Sequence, residues 1–285
     1  MKNKVAIIGL GLIGGSLALE LKKHFDWTVF GIDSSAENAK KALILGVIDE
    51  VSDFSIIESA DIVVIAVPVN YGPQLVLKVL NTIKKDALVF DVGSTKEYIC
   101  KKVVKHSKRV NFVAVHPIAG TEFSGPEAAI YNLFDGKVNI ICDKELSSEK
   151  SIEKTMTIFN RLNMRTIFMN SREHDKHIAY VSHLSHISSF MLGKTVLEIE
   201  KNEKNIFDMA GSGFESTVRL AKSSPEMWSP IFVGNKTNIL TSLEGFIKNL
   251  QEFKEMIENE DTEALRNSMS ETNYIKEILN GIKKQ

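Results

Sequence analysis

A chain of 285 residues is long enough for one large domain or two ordinary ones. Its 44 % apolar and 25 % charged content is that of a globular protein, and a formal net charge of −1 speaks against a nucleic-acid or anionic-membrane partner. Two cysteines, Cys100 and Cys142, lie far apart without metal-type spacing, which argues against a disulfide framework or a zinc site and fits a reducing cytoplasm.

The N-terminus, MKNK followed by VAIIGLGLIGGSLAL, superficially matches a signal peptide, but Gly9, Gly11, Gly14 and Gly15 make it a poor continuous helix. No other segment approaches the roughly 20 apolar residues of a membrane span, so a soluble, cytoplasmic protein is expected. Apolar runs VAIIG (5–9), TVFGID (28–33), DIVVIAVP (61–68), ALVFDVG (87–93), NFVAVHP (111–117), KVNIICD (137–143) and RTIFMN (165–170) then follow in order. Nearly continuous Val/Ile runs of this kind suit strands buried on both faces of a parallel sheet. Helix-like segments at 13–24, 35–46, 72–84, 95–106 and 149–162 separate them. The alternation predicts an α/β domain of Rossmann type, with a doubly wound, mostly parallel sheet. From about residue 171 helical periodicity takes over, at 172–200, 214–222, 226–258 and 261–283. The expected division is 1–170 as a Rossmann-like domain and 171–285 as an all-helical one.

Gly9-Leu10-Gly11-Leu12-Ile13-Gly14 is a G-x-G-x-x-G with a strand before it and a helix after it. Gly9 permits a tight turn, Gly11 lets the backbone approach a pyrophosphate, and Gly14 allows close helix–strand packing. With Leu12 and Ile13 these residues open a helix whose N-terminus suits phosphates. Asp33 stands 19 residues after Gly14, near the ~20-residue offset of an acid that binds a ribose 2′-hydroxyl. A carboxylate there repels a 2′-phosphate, and Ser34 and Ser35 follow it rather than arginine, which favours NAD over NADP. Ligands of such sheets bind beyond the carboxyl ends of the strands. Val67-Pro68, the turn Gly93-Ser94-Thr95-Lys96, and His116-Pro117 therefore mark the crevice. A core histidine would more naturally sit mid-strand; His116 ends its strand, where a nicotinamide and its substrate should meet.

In the helical half, REHDKHIAYVSHLSHISSF places Ala179, His183, His186 and Phe190 on one helical face. No carboxylate or cysteine joins these histidines, and zinc signatures usually space histidines four apart, so a polar pocket wall is preferred to a metal site. For His174 and His177 a solvent-facing position is expected. Arg219, set among Phe214, Val218, Leu220 and Ala221, is expected to be at least partly desolvated and to need an anion. That anion is either Glu215 at i−4 or a substrate carboxylate.

GLGLIGGSLA, DVGSTK, HPIAGTEFSG, EHDKHIAYVSHLSH and GFESTVRLAKSSPEMW occur in this order and cover almost the whole chain. The sequence resembles prephenate dehydrogenases, the TyrA family of tyrosine biosynthesis. The resemblance implies NAD-dependent oxidation of prephenate at the ring carbon bearing the 4-hydroxyl, with loss of the ring carboxylate as CO2 to give 4-hydroxyphenylpyruvate. It implies His116 as the base for the 4-hydroxyl proton and Ser94 as the serine that bonds this hydroxyl and orients the histidine. Lys96 matches the basic residue of the same turn. Arg219 matches the arginine that holds a substrate carboxylate, and His186 and His183 match pocket histidines. Thr121 and Glu122 match a gating segment at the pocket mouth, with Glu122 able to pair with an arginine in the closed site. A homodimer formed by the helical domain is implied, as is a monofunctional form without chorismate mutase or regulatory segments. Two positions depart from the family pattern: Glu215-Ser216 stands where Arg/Lys-Asp is frequent, and Ser185 replaces a common proline.

Arogenate dehydrogenase shares the fold and the chemistry and is the nearest alternative; a pocket histidine such as His186 favours the keto acid over the amine. A hydroxyacid dehydrogenase would want a catalytic lysine on a long helix, and neither Lys194 nor Lys236 sits in such a motif. A non-catalytic NAD-binding regulator would not need His116, Ser94 and Arg219 together.

Overall fold

A computed structural model of the chain describes residues 2–201 and 205–282. Eight strands form one sheet: β1 (Lys4–Ile8), β2 (Thr28–Ile32), β3 (Glu50–Val51), β4 (Ile62–Ile65), β5 (Leu88–Asp91), β6 (Phe112–Pro117), β7 (Val138–Cys142) and β8 (Arg165–Met169). Their order is β3-β2-β1-β4-β5-β6-β7-β8. All neighbours pair in parallel except β6 and β7, which run antiparallel. Each of the seven apolar runs matches a strand, with β1 starting one residue before its run. The eighth, β3, has two exposed residues at the sheet edge and so leaves no apolar run to read.

Five helices, α1 (Leu12–His24), α2 (Ala36–Ile44), α3 (Gly72–Thr82), α4 (Glu97–Val103) and α5 (Glu149–Arg161), connect the strands. The sheet is doubly wound because alternate strand residues feed two separate cores. Val5, Ile7, Val113 and Val115 pack with Leu17 and Leu21 of α1 and Ile158 and Phe159 of α5. Ala6, Ile8, Phe112 and Ala114 pack with Val76, Val79 and Leu80 of α3 and Ile99 and Val103 of α4. Every residue of β4 is buried, as a central parallel strand requires.

The helical region begins with α6 (Ser171–Ile178), a π turn at Ala179–His183 and α7 (Leu184–Glu200). It continues through α8 (Ser212–Val218), a 3-10 turn at Arg219–Lys222, α9 (Pro225–Gly234), α10 (Lys236–Glu258), α11 (Thr262–Thr272) and α12 (Ile275–Ile282). Three expected helices are thus interrupted. The 172–200 segment carries a π turn, 226–258 breaks at Asn235, and 261–283 breaks at Asn273-Tyr274; Lys283 lies outside the described residues. Packing divides the chain into two compact units, Met1–Lys236 and Thr237–Gln285. The first helical elements therefore belong with the sheet. No described helix is long and apolar enough to cross a membrane.

Candidate active site

The β1–α1 turn is shaped by three glycines in different ways. Gly9 has a φ of +97°, and a Cβ there would lie 2.3 Å from the Ala66 carbonyl oxygen. A Cβ on Gly14 would lie 2.0 Å from the Gly9 carbonyl oxygen, whereas one on Gly11 would meet no atom within 4 Å. Gly9 and Gly14 are thus required by the fold, while Gly11 keeps open the space over the turn. Gly11 caps α1 without a side-chain hydrogen bond, and the first turn, with Leu12 and Ile13, holds no acid. Its N–H groups suit an anion such as a pyrophosphate. Asp33 is half-buried; one carboxylate oxygen accepts from Leu10 N at 2.9 Å and the other from Ser35 N at 2.9 Å. A carboxylate has about four acceptor positions, so both oxygens retain capacity for a ribose hydroxyl. A cavity of about 450 Å³ opens at the ends of β4 and β5, lined among others by Val67, Gly93, Thr95, Tyr98 and Val233. Pro68 is exposed beside it. These residues fit a dinucleotide.

β5 ends at Asp91, paired with Ala114, so β6 runs on past its neighbour. Val115 and His116 keep ladder partners only on β7, as Ile141 and Ile140. The Val115 carbonyl is instead bonded at 2.7 Å by the Lys96 ammonium, which also pairs with Asp91. Lys96 is 0 % exposed. This corrects its expected place as a substrate contact: its charge is consumed inside, holding the 93–96 turn against β5 and β6. Ser94, in that turn, is half-buried and makes no hydrogen bond among the described residues.

His116 is partly buried, and its Nδ1 lies 2.8 Å from Nε2 of His174. His174 Nδ1 lies 2.7 Å from Oδ1 of Asp175. Asp175 in turn accepts from the backbone N–H groups of Lys96 at 2.7 Å and Glu97 at 2.9 Å. His174, expected in solvent, is 1 % exposed. Tertiary docking decided this, because α6 presents its buried side, with Ser171, Asp175 and Ile178, to the sheet domain. His177 is exposed, as expected. Burial, then the neighbouring His174, Lys96 and His183, hold the His116 imidazole well below its usual range. Burial also lowers His174, although Asp175 opposes it.

The π turn brings His183 inward, to zero exposure. Straight α-helix would put His183 nearly opposite His174, at ~100° per residue over nine residues, and the widened turn removes about one residue's rotation. His183 Nδ1 lies 3.3 Å from the Asn235 amide, which donates to the Asp175 carbonyl at 2.6 Å. Burial lowers the His183 imidazole to about 4. His183 is therefore fully enclosed rather than exposed, which differs from its expected contact with substrate. His186, half-buried, donates from Nδ1 to the Ser182 carbonyl at 2.9 Å and stacks on Trp228 with ring centroids 3.5 Å apart.

Arg219 is 56 % exposed at the side chain, so the expected desolvation does not occur; it sits on the short turn after α8 rather than within a buried face. Its acidic neighbour is Glu122, at 3.9 Å, while Glu215 lies 3.9 Å from Lys222. Thr121 Oγ1 accepts from Phe123 N within the same loop. Contacts thus join His116 to His174, His183 to Trp228 and His186, and Arg219 to Glu122, six residues after His116, while His174 and Arg219 act electrostatically on His183 and His186. No metal-type cluster of His, Cys, Asp or Glu occurs among the described residues. Sequence patterns missed His174, Asp175 and Asn235; the signal for the first two was the adjacent His-Asp pair opening the helical half.

A family model described as the prephenate dehydrogenase nucleotide-binding domain matches residues 17–168, and one described as the prephenate dehydrogenase dimerization domain matches residues 170–271. Prephenate dehydrogenase of Bacillus subtilis is 34 % identical over 274 residues, covering 93 % of this chain and 73 % of that protein. Cyclohexadienyl dehydrogenase of Zymomonas mobilis is 30 % identical, covering 94 % of this chain and 93 % of its own. The crystal structure of prephenate dehydrogenase from A. aeolicus in complex with hydroxyphenyl propionate and NAD+ aligns with a TM-score of 0.89 at 32 % identity, covering 98 % of this chain and 99 % of that one. The chain belongs to the prephenate dehydrogenase family.

Proposed function

We propose that this protein is an NAD-dependent prephenate dehydrogenase, producing 4-hydroxyphenylpyruvate and CO2. The observation that carries the reading is a neutral His116 at the carboxyl end of a strand in the same sheet as a Rossmann dinucleotide turn, in a chain of this family. Bound NAD supplies the two-electron acceptor. His116 accepts the proton of the substrate 4-hydroxyl, which must leave as the ring carbon is oxidised. Ser94 orients that hydroxyl, Arg219 binds a substrate carboxylate and releases Glu122 to do so, and His186 presents a ring held by Ser182 and Trp228 to the pocket. Lys96 and His183 act from behind this surface. Thr121 and Glu122 gate the mouth. For the cofactor we assign Gly9, Gly11, Leu12, Ile13, Gly14, Asp33, Val67, Pro68 and Ser94.

We assign residues 1–170 to cofactor binding and 171–285 to substrate binding and dimerisation. A homodimer is supported by the dimerization-domain match and by exposed apolar residues such as Leu250, Phe253 and Ile257. A cytoplasmic location is supported by two unpaired, buried cysteines.

The test is reduced-nicotinamide formation by the purified protein with prephenate or arogenate, each offered with NAD or NADP. Rapid NADH formation from prephenate is the expected outcome. Activity on arogenate alone would keep the chemistry and overturn the substrate, and no activity in any mixture would overturn the function.

A further inference from the structure

Burial favours the neutral form of both imidazoles, and with both neutral the hydrogen bonds behind His116 leave one consistent placement of protons. Asp175 accepts from two backbone N–H groups, and its carboxylate has only acceptors to offer. The 2.7 Å contact with His174 Nδ1 therefore places a proton on that nitrogen. A neutral His174 then has a lone pair at Nε2, and this faces His116 Nδ1 at 2.8 Å. His116 must carry its proton on Nδ1, because the other tautomer would set two lone pairs against each other. Its Nε2 is left unprotonated.

We infer that His174 and Asp175 are positioning residues that hold His116 in the tautomer whose Nε2 accepts the substrate proton. The inference rests on the reading of His116 as the base. When Nε2 takes the proton, Nδ1–H keeps donating to His174, so the imidazolium has an acceptor at once and nothing reorganises. Consecutive residues of α6 divide the work: His174 reaches β6, and Asp175 reaches the backbone at the start of α4. Docking of the helical region onto the sheet domain is thereby read as the protonation pattern of the base. The charged and titratable groups facing His116 are His174, Lys96 and His183, with Asp91 behind Lys96.

The tautomer is measurable without turnover. In the full chain labelled with 15N-histidine, two-bond 1H–15N spectra, assigned with His116→Asn, are expected to show His116 and His174 both protonated on Nδ1. His174→Phe keeps an aromatic ring and removes the acceptor; His116 should leave the pure Nδ1–H tautomer. Turnover of prephenate should fall about 10–100-fold, the usual range for losing such a supporting partner, with KM within two-fold. His174→Gln, whose amide oxygen can accept from Nδ1–H, should recover most of the loss. An Nε2–H tautomer of His116 in the unaltered protein would overturn the inference, as would wild-type turnover in His174→Phe. If His174→Phe fails to fold, the wild-type spectrum and His174→Gln decide. Nδ1–H spectra from a protein inactive on prephenate and arogenate would uphold the positioning and sink the proposed reaction instead.

Discussion

As the proposed base, His116 must be unprotonated to act, and the groups packed around it favour that form. Burial, the His174 and His183 rings and the Lys96 ammonium lower it well below 6.5, so activity is expected to persist as pH falls past the ordinary imidazole range. The acid limb of kcat/KM is expected clearly below pH 6.5; a limb at or above that value in a pH–rate profile would contradict this. His116→Asn should lower kcat by about 10²–10⁴-fold, the range of general base catalysis, with NAD affinity by titration unchanged within two-fold. Arg219 sits at the surface with a weakly held acidic neighbour, an arrangement that leaves its fork available. Arg219→Ala should raise the KM for prephenate tenfold or more, since a charged hydrogen bond is worth about 1.5–3 kcal/mol, while kcat changes less.

The β1–α1 turn and the 93–96 turn fail differently when altered. A Cβ on Gly11 meets nothing, so Gly11→Ala should leave thermal unfolding unchanged and weaken NAD binding. Gly14→Ala drives a methyl into the Gly9 carbonyl and should lower the melting temperature as well. Under His116, Lys96 and Asp91 form a buried pair whose value lies in its completeness. Lys96→Met strands the Asp91 carboxylate and is expected to destabilise by about 3–5 kcal/mol, whereas replacing both partners with apolar residues should cost far less. Urea midpoints for the single and double variants check this. A parallel strand that outruns its neighbour needs something to satisfy its last carbonyl, and Lys96 does so for Val115. The lysine was visible in DVGSTK, but the overhang that turns it inward was not.

Three histidines with lowered imidazoles make the whole molecule sensitive to acid. His116, His174 and His183 are all lowered in the folded state, His183 to about 4. An unfolded chain binds protons at these side chains from about pH 6.5 downward and the folded one does not, so stability is complete above that pH and falls on acidification. Each such group costs up to ~1.4 kcal/mol per pH unit until its folded value is reached. Urea midpoints should therefore drop between pH 7 and pH 5; a flat profile would mean that these rings are solvated.

The doubly wound sheet, the dinucleotide turn and the strand-end His116 were legible in the sequence because each follows from local rules. Apolar runs report burial on two faces, glycines report a turn no other residue permits, and a polar residue at the end of a run reports a crevice. The placement of Lys96, His174, His183 and Arg219 was decided only by tertiary structure. An isolated helix does not say which of its sides will be covered, so His174 reads as solvent-facing until α6 docks on the sheet. The π turn that draws His183 inward has no local signature in AYVSH. Charge on a lysine or arginine is equally silent about its partner: Lys96 found Asp91 inside the fold, and Arg219, among apolar neighbours in sequence, ended on a short exposed turn facing Glu122. Local chemistry chose the parts of this site, and long-range packing chose which of them touch.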